Sequence, residues 1–280
     1  MTEKAYAKIN LTLDVINKRP DGYHNVKMVM QAIELCDEVT VELCDTKGIH
    51  ITSDSGQVPC NESNIAYKAA VKMLDIAKKD VGISIHIAKR IPVSAGLAGG
   101  STDGAAVIKA LNTLLNLGYT DTELMKISAP LGADVPFCIM GGTALAEDIG
   151  TKLSPLPSFR KTTVLLVKPP ISVSTPWAYK NLRLDTVVHP DVDGMTERLK
   201  SGNYDGFCSC MGNVLESVTE KEYPVITEIK NKMTKLGATF SMMSGSGPTV
   251  FGFFDSDDSA KNAADHFKKI FDEVIITKTV

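Results

Sequence analysis

The sequence is poor in the features that commit a chain to disulfide, metal or membrane chemistry. Its six cysteines (Cys36, Cys44, Cys60, Cys138, Cys208 and Cys210) form no C-x-x-C pair and no Cys/His set with zinc-ligand spacing. Six in 280 residues are also few for a disulfide framework, which fits a reducing compartment. No apolar run approaches the ~20 residues that a spanning helix needs. Met1-Thr2-Glu3-Lys4 lacks the basic-then-apolar pattern of a secretory signal. Basic residues show no surplus either: 30 Lys and Arg against 33 Asp and Glu leave a net charge of −3. With no basic stripe, a nucleic-acid partner is not expected, nor a membrane. The expectation is a cytoplasmic protein. Its composition is 44% hydrophobic, which can build a core, and 280 residues suffice for two domains.

Residues Ala5 to Val15 alternate strictly. Ala5, Ala7, Ile9, Leu11, Leu13 and Val15 face one way, and Tyr6, Lys8, Asn10, Thr12 and Asp14 the other. Period two predicts a strand with one face on the core, and the polar row can line a cleft as readily as meet water. The turn Pro20-Asp21-Gly22 ends it. Further strands are predicted at 27–34, 38–44 and 83–89, and helices at 64–79, from 101 or 102 to Gly118, and at 121–129. Ser63 is the candidate N-cap of the first of these, with Gly82 past its end. The third sits behind Thr120 or Asp121. Pro155, Pro157 and Ser158 mark a change of pattern. Beyond it come a strand at 162–168, a partly helical stretch ending in a helix at 225–236, strands at 238–243 and 249–254, a helix at 257–270 and a strand at 273–278. That β-α-β-β-α-β order is the split βαβ, or ferredoxin-like, arrangement. The fold class is therefore α/β (α+β) in two domains, a mixed α/β domain over 1–155 and a split βαβ domain with a helical insert over 156–280.

Residues 91–106 carry the strongest chemical signal. Gly96, Gly99 and Gly100 lie just before a helix, with hydroxyls at Ser94, Ser101 and Thr102. Glycines let backbone approach a ligand closely, and a helix N-terminus offers free N–H groups and a positive dipole end. Three glycines in five residues exceed what an ordinary cap needs, so the segment reads as an anion cradle suited to polyphosphate. It is neither a Walker A loop, since no Gly-Lys-Ser/Thr follows, nor the dinucleotide fingerprint. Protein-kinase signatures are absent too.

Ala7-Lys8-Ile9-Asn10-Leu11, the block from Pro92 to Ala106, and Ser244-Gly245-Ser246-Gly247-Pro248 together resemble the galactokinase, homoserine kinase, mevalonate kinase and phosphomevalonate kinase (GHMP) superfamily. Asp21-Gly22-Tyr23-His24 and Leu131-Gly132-Ala133-Asp134-Val135-Pro136 narrow the resemblance to a branch whose acceptor is a cytidine-diphosphate-linked polyol. Ala95 and Ala98 stand where many members have glycine, and Thr102 where a second serine is usual. The resemblance implies an enzyme that moves the γ-phosphate of ATP, with Mg²⁺, to a hydroxyl of that small molecule, with no covalent phospho-enzyme.

It also implies roles. Asp134 alone, before Val135-Pro136, reads as a helix N-cap; the resemblance puts it on the family's catalytic base. Lys8 falls beside it as the stabilising cation. ATP is assigned to Pro92, Val93, Ser94, Ala95, Gly96, Leu97, Ala98, Gly99, Gly100, Ser101 and Thr102, with Asn64 and Ile65 near the adenine. Asn64 reads equally as a cap. Substrate falls to Asn10, to Tyr23 and His24 at the cytosine, and to Tyr179 stacking on that base. Ser244 to Pro248, otherwise a hairpin loop, supports the glycine-rich segment. Ser101 is a candidate Mg²⁺ contact without a dedicated acidic ligand. Asp103 and Glu147 read as surface or structural, and His50, His86, His189 and His266 are isolated and read as structural or exposed.

Overall fold

The computed structural model describes residues 1–280. The expected fold class forms. Two compact units interleave along the chain: the first holds Met1–Ala7, Leu35–Val93 and Ala98–Gly141, the second Lys8–Glu34, Ser94–Leu97 and Gly142–Val280. Strands β1 (Thr2–Lys18) and β2 (His24–Cys44) contribute residues to both. The residues expected as two strands, 27–34 and 38–44, form the one continuous β2, because no glycine or proline breaks the run between them.

The first unit adds β3 (Ile49–Ser53), α1 (Ile65–Ala77), β4 (Gly82–Ala88), α2 (Gly99–Leu114), α3 (Asp121–Ser128) and α4 (Val135–Met140). β4 pairs antiparallel with the end of β2 and parallel with β3. Val39, Val41, Ile83, Ile85 and Ile87 share one core with Ala66, Ala69 and Met73 of α1 and Val107, Ile108 and Leu111 of α2. Each valine, leucine, isoleucine or methionine side chain taken from water stabilises by roughly 1.5–3 kcal/mol, and each alanine by less. The two helices meet closely at Gly104, where a Cβ would lie 2.6 Å from Ile65 Cγ2. That contact accounts for a glycine inside a helix despite a propensity cost of about 1 kcal/mol.

The helix boundaries correct the sequence reading in three places. Asn64, not Ser63, caps α1: its Oδ1 accepts from Ala66 N at 2.8 Å. The helix closes on Lys78 in the left-handed region, and Gly82 instead begins β4, where the carbonyl of Thr46 leaves no room for a Cβ. α2 starts at Gly99 and ends at Leu114, earlier at both ends than expected, and Gly118 lies in the following loop. α3 carries a full capping box between Thr120 and Glu123.

The second unit holds β5 (Thr143–Asp148), β6 (Lys152–Leu156), β7 (Thr163–Lys168), α5 (Thr175–Asn181), α6 (Val192–Ser201), β8 (Gly212–Asn213), α7 (Glu216–Glu222), α8 (Val225–Lys235), β9 (Phe240–Met243), β10 (Val250–Phe254), α9 (Asp257–Phe267) and β11 (Glu273–Lys278). The expected four-stranded antiparallel sheet forms in the order β11-β7-β10-β9. Phe251, Phe253 and Phe267 are fully buried in this half. The β5–β6 hairpin, which pairs with the first part of β2, was not expected. Pro155 pairs opposite Ala144 on β6, an edge strand, where a missing N–H costs little. β8 pairs parallel with β1, Leu13 opposite Asn213. No helix is long and apolar enough to cross a membrane.

Candidate active site

In the second unit, the polar row of β1 is buried as fully as the apolar row. Lys8 is 4% exposed, and Asn10, Thr12 and Asp14 are buried with it. Each finds a partner, as buried polar groups must. Thr12 Oγ1 accepts from Val29 N at 3.0 Å, and Asp14 meets His189 Nδ1 at 2.7 Å. His189 is thus not isolated. Asn10 Nδ2 reaches Met28 Sδ at 3.3 Å. Lys8 Nζ donates to Asn10 Oδ1 at 2.9 Å and to the Gly96 carbonyl at 3.1 Å. Within its unit this ammonium has two neutral acceptors and no carboxylate, an arrangement that favours an incoming anion.

Gly96 sits where no other residue fits. Its φ of +74° is left-handed, and a Cβ there would overlap the Ser244 carbonyl oxygen. Its own carbonyl accepts from both Lys8 Nζ and, at 3.0 Å, Ser244 Oγ. The Ser244–Pro248 segment therefore supports the glycine-rich loop directly. Ala95 and Leu97 are buried anchors, and Ser94 is exposed with φ +52°.

His24 and Tyr179 also come together in this unit, ring centroids 5.3 Å apart and tilted by 40°. At that spacing the rings touch each other. The pair therefore leaves no gap for a third ring between them. Burial pushes His24 below its ordinary value, and Lys18 adds to this, so the imidazole is neutral at neutral pH. A neutral ring offers one donor and one acceptor. Tyr23 is 63% exposed, a rim position.

In the first unit, Ala98 (φ 60°, ψ 25°) leads into α2. The first helical bond runs from Thr102 N to Ala98 O at 2.9 Å, so the N–H groups of Gly99, Gly100 and Ser101 precede the ladder. Such donors and the helix dipole are the elements that an anion-binding helix start uses. Thr102 is buried, its hydroxyl donated to Tyr6 O at 2.9 Å. Pro92 and Val93 are half-buried before the loop. Ile65 Cδ1 lies 3.8 Å from the Cβ position of Gly100, placing Asn64 and Ile65 next to the helix start. Asn64 is a cap in fact, with Nδ2 also donated to Pro59 O at 2.8 Å. Asp134 precedes α4 without capping it through its side chain, so the cap reading fails for its carboxylate.

Sequence reasoning missed one feature of this unit. Lys89 Nζ, 7% exposed, pairs with Asp37 at 2.5 Å and Asp103 at 2.9 Å. It lies 2.9 Å from the Cβ position of Gly99, under the start of α2. Asp37 Oδ1 also accepts from Arg90 N and Ile91 N at 2.5 and 2.8 Å, fixing the chain that leads into the loop. Burial pushes the Asp103 carboxyl up to about 7, against Lys89, which draws it down, and with Asp37, which raises it. Asp103 is therefore buried and structural. The signal was there: Asp37 and Lys89 continue the odd-numbered apolar rows Val39-Val41 and Ile83-Ile85-Ile87. No cluster of three acidic, histidine or cysteine side chains could hold a metal.

Two family models match the chain, that of the GHMP kinases N terminal domain at residues 64–142 and that of the GHMP kinases C terminal at residues 195–273. A relative from Acetivibrio thermocellus is 50% identical over 278 residues, covering 99% of this chain and 98% of its own. Another, from Clostridium acetobutylicum, is 48% identical with full coverage of both. Both are named 4-diphosphocytidyl-2-C-methyl-D-erythritol kinase. A crystal structure of 4-(cytidine 5'-diphospho)-2C-methyl-D-erythritol kinase superposes with a TM-score of 0.85 at 32% identity, over 100% of this chain and 99% of that one. A homoserine kinase from Cytophaga hutchinsonii shares the fold at 21% identity, with a TM-score of 0.76 over 100% of this chain and 94% of that one.

Proposed function

From the premise that this chain belongs to the GHMP kinase family, and is a kinase, we propose that it transfers the γ-phosphate of ATP to the 2-hydroxyl of 4-diphosphocytidyl-2-C-methyl-D-erythritol, a step of the non-mevalonate route to isoprenoid precursors. The division proposed with it is a nucleotide-binding domain over 1–155 and a second family domain over 156–280. The observation that carries the reading is the buried Lys8 ammonium, held by an amide and a glycine-loop carbonyl and by no carboxylate of its unit.

Phosphoryl transfer asks the protein for position and charge stabilisation more than for covalent chemistry. In this reading Asp134 accepts the proton of the attacking hydroxyl, its carboxylate not spent on a helix cap. Lys8 stabilises the incipient alkoxide and the transferring charge. The N–H groups of Gly99, Gly100 and Ser101 take phosphate oxygens, while Ala95, Leu97 and Thr102 anchor the loop. Asn64 and Ile65 border the adenine. Neutral His24 hydrogen-bonds the cytosine, Tyr179 stacks on it with Tyr23 at the rim, and Asn10 meets the polyol. Mg²⁺, when bound with ATP, would supply neutralisation of phosphate charge, and the Ser101 hydroxyl is the group of this chain that would contact it.

The test is ADP release with Mg-ATP and, in parallel, the cytidine-diphosphate polyol, mevalonate and homoserine. Turnover is expected with the first alone and is expected to fall by about 10²–10⁴ in Asp134→Ala. Turnover with another of these alcohols, or an active Asp134→Ala, would overturn the substrate or the base.

A further inference from the structure

In the second unit, a chain of hydrogen bonds leads from the buried Asn213 and the half-buried Glu216 to the Lys8 ammonium. Asn213 closes β8 and is 6% exposed. Its Nδ2 donates to Met243 O at 2.9 Å and to Gly245 O at 2.8 Å, and its Oδ1 accepts from Leu215 N at 3.0 Å. Glu216 opens α7 and accepts from Met243 N at 2.7 Å through Oε1. Its Oε2 pairs at 2.8 Å with Lys230, which also meets Glu220 at 2.6 Å. Met243 is thereby held at its N–H and at its carbonyl, and Gly245 at its carbonyl, by side chains that lie outside the β9–β10 hairpin.

The hairpin closes without them. Ser244 N bonds Thr249 O at 2.8 Å, and Gly247 N bonds Ser244 O at 2.9 Å. The added bonds instead fix where the turn sits, and the turn backs onto the catalytic cation. Ser244 Oγ donates to Gly96 O at 3.0 Å, the oxygen that also accepts from Lys8 Nζ at 3.1 Å. A Cβ at Gly245 would lie 3.2 Å from Gly96 O and 3.4 Å from Lys8 Nζ. Any shift of the turn therefore moves the carbonyl that aims the ammonium.

We propose that Asn213 and Glu216 are positioning residues for the transfer step: by fixing residues 243–247 they hold the Gly96 carbonyl, and through it Lys8 Nζ. The inference rests on the role given to Lys8 above. Neither residue touches substrate in this account, so binding constants stay and turnover moves. A misplacement of about 1 Å at a reacting group can cost about 10²-fold in rate.

Steady-state kinetics with ATP and the cytidine-diphosphate polyol, together with thermal melts, test it. Asn213→Leu is expected to lower kcat by about 10²-fold with both KM values within about twofold. Glu216→Leu is expected to lose about tenfold, and Glu216→Gln, whose amide oxygen still accepts from Met243 N, to recover most of that. In a Lys8→Met background, Asn213→Leu is expected to cost less than about twofold, because the group it positions is gone. A fully additive loss there, or native kcat in a folded Asn213→Leu, overturns the proposal. If Asn213→Leu does not fold, Ser244→Ala, which deletes one hydroxyl, is expected to lower kcat by about tenfold at an unchanged melting temperature, and native kcat there overturns it. Amide hydrogen exchange of residues 243–247 needs no acceptor substrate. It is expected to speed about tenfold in Asn213→Leu, with α8 unchanged, and unaltered exchange overturns the proposal. An unaltered chain inactive on the polyol would instead sink the functional reading, leaving exchange to decide this one.

Discussion

Asp103 sets a stability test whose sign follows from its surroundings. It is 2% exposed, pairs with Lys89 through Oδ2, and leaves Oδ1 with no partner. Lys89 is already neutralised by Asp37, so an ionised Asp103 is a second buried carboxylate beside one ammonium. Burial first, and Asp37 with it, therefore raise the carboxyl from 3.8 to about 7. Between those values the folded chain keeps a proton that the unfolded chain has released. Stability from this group is fully present below about pH 4 and is lost as pH rises towards 7. Three units at about 1.4 kcal/mol each set a ceiling of about 4 kcal/mol.

The perturbation is Asp103→Asn, which keeps an oxygen for Lys89 and cannot ionise. Urea unfolding of both proteins at intervals from pH 4.5 to 7.5 gives the difference in stability, and titrating groups common to both cancel. The unaltered chain is expected to lose ground to the variant as pH rises, by roughly 2–4 kcal/mol over that range. At pH 7.5 the variant is expected to equal or exceed it. A difference that stays flat, or that favours the aspartate more as pH rises, would refute the account of a carboxyl held neutral by burial.

Two substitutions test the second unit. Gly96→Ala forces a Cβ into the Ser244 carbonyl at a left-handed φ, so it is expected to cost about 1–3 kcal/mol of stability. Because that residue's carbonyl holds Lys8, kcat is expected to fall at least about tenfold; a variant with native melting temperature and kcat would show the loop to be slack. On the proposed reading, Tyr179→Ala removes a stacking face worth about 1–3 kcal/mol, and it is expected to raise KM for the cytidine-bearing acceptor about tenfold with KM for ATP unchanged. Equal changes in both constants would remove Tyr179 from the base site.

Periodicity carried most of the fold. The odd-numbered apolar residues of β1, the Ile83-Ile85-Ile87 alternation and the β-α-β-β-α-β order of the last third all name elements that form. Elements set by pairing rather than pattern were lost. β8 is two residues long and exists because Leu13 and Asn213 lie in register. The β5–β6 hairpin was hidden by Pro155, which only an edge position tolerates. Helix starts erred by a residue or more, because Asn64 and Ser63 are both good caps and local chemistry does not rank them.

The site was legible where it is local and illegible where it depends on what lies opposite. Gly96, Gly99 and Gly100 announce an anion loop within a few residues of one another. Lys8 does not: a lysine on the polar side of a strand is usually solvated, and only residues about 90 and 240 positions on turn that side into an interior. The same distant residues decide which polar groups could be there at all. Once Gly96 O serves both Lys8 and Ser244, a serine at 244 and glycines at 96 and 245 follow from space. Asn213 follows from the two carbonyls that the turn leaves pointing inward. A buried cation whose nearest acceptors are neutral is costly in isolation. It persists here because its surroundings are rigid, and on the proposed reading that rigidity leaves its charge free for a phosphate.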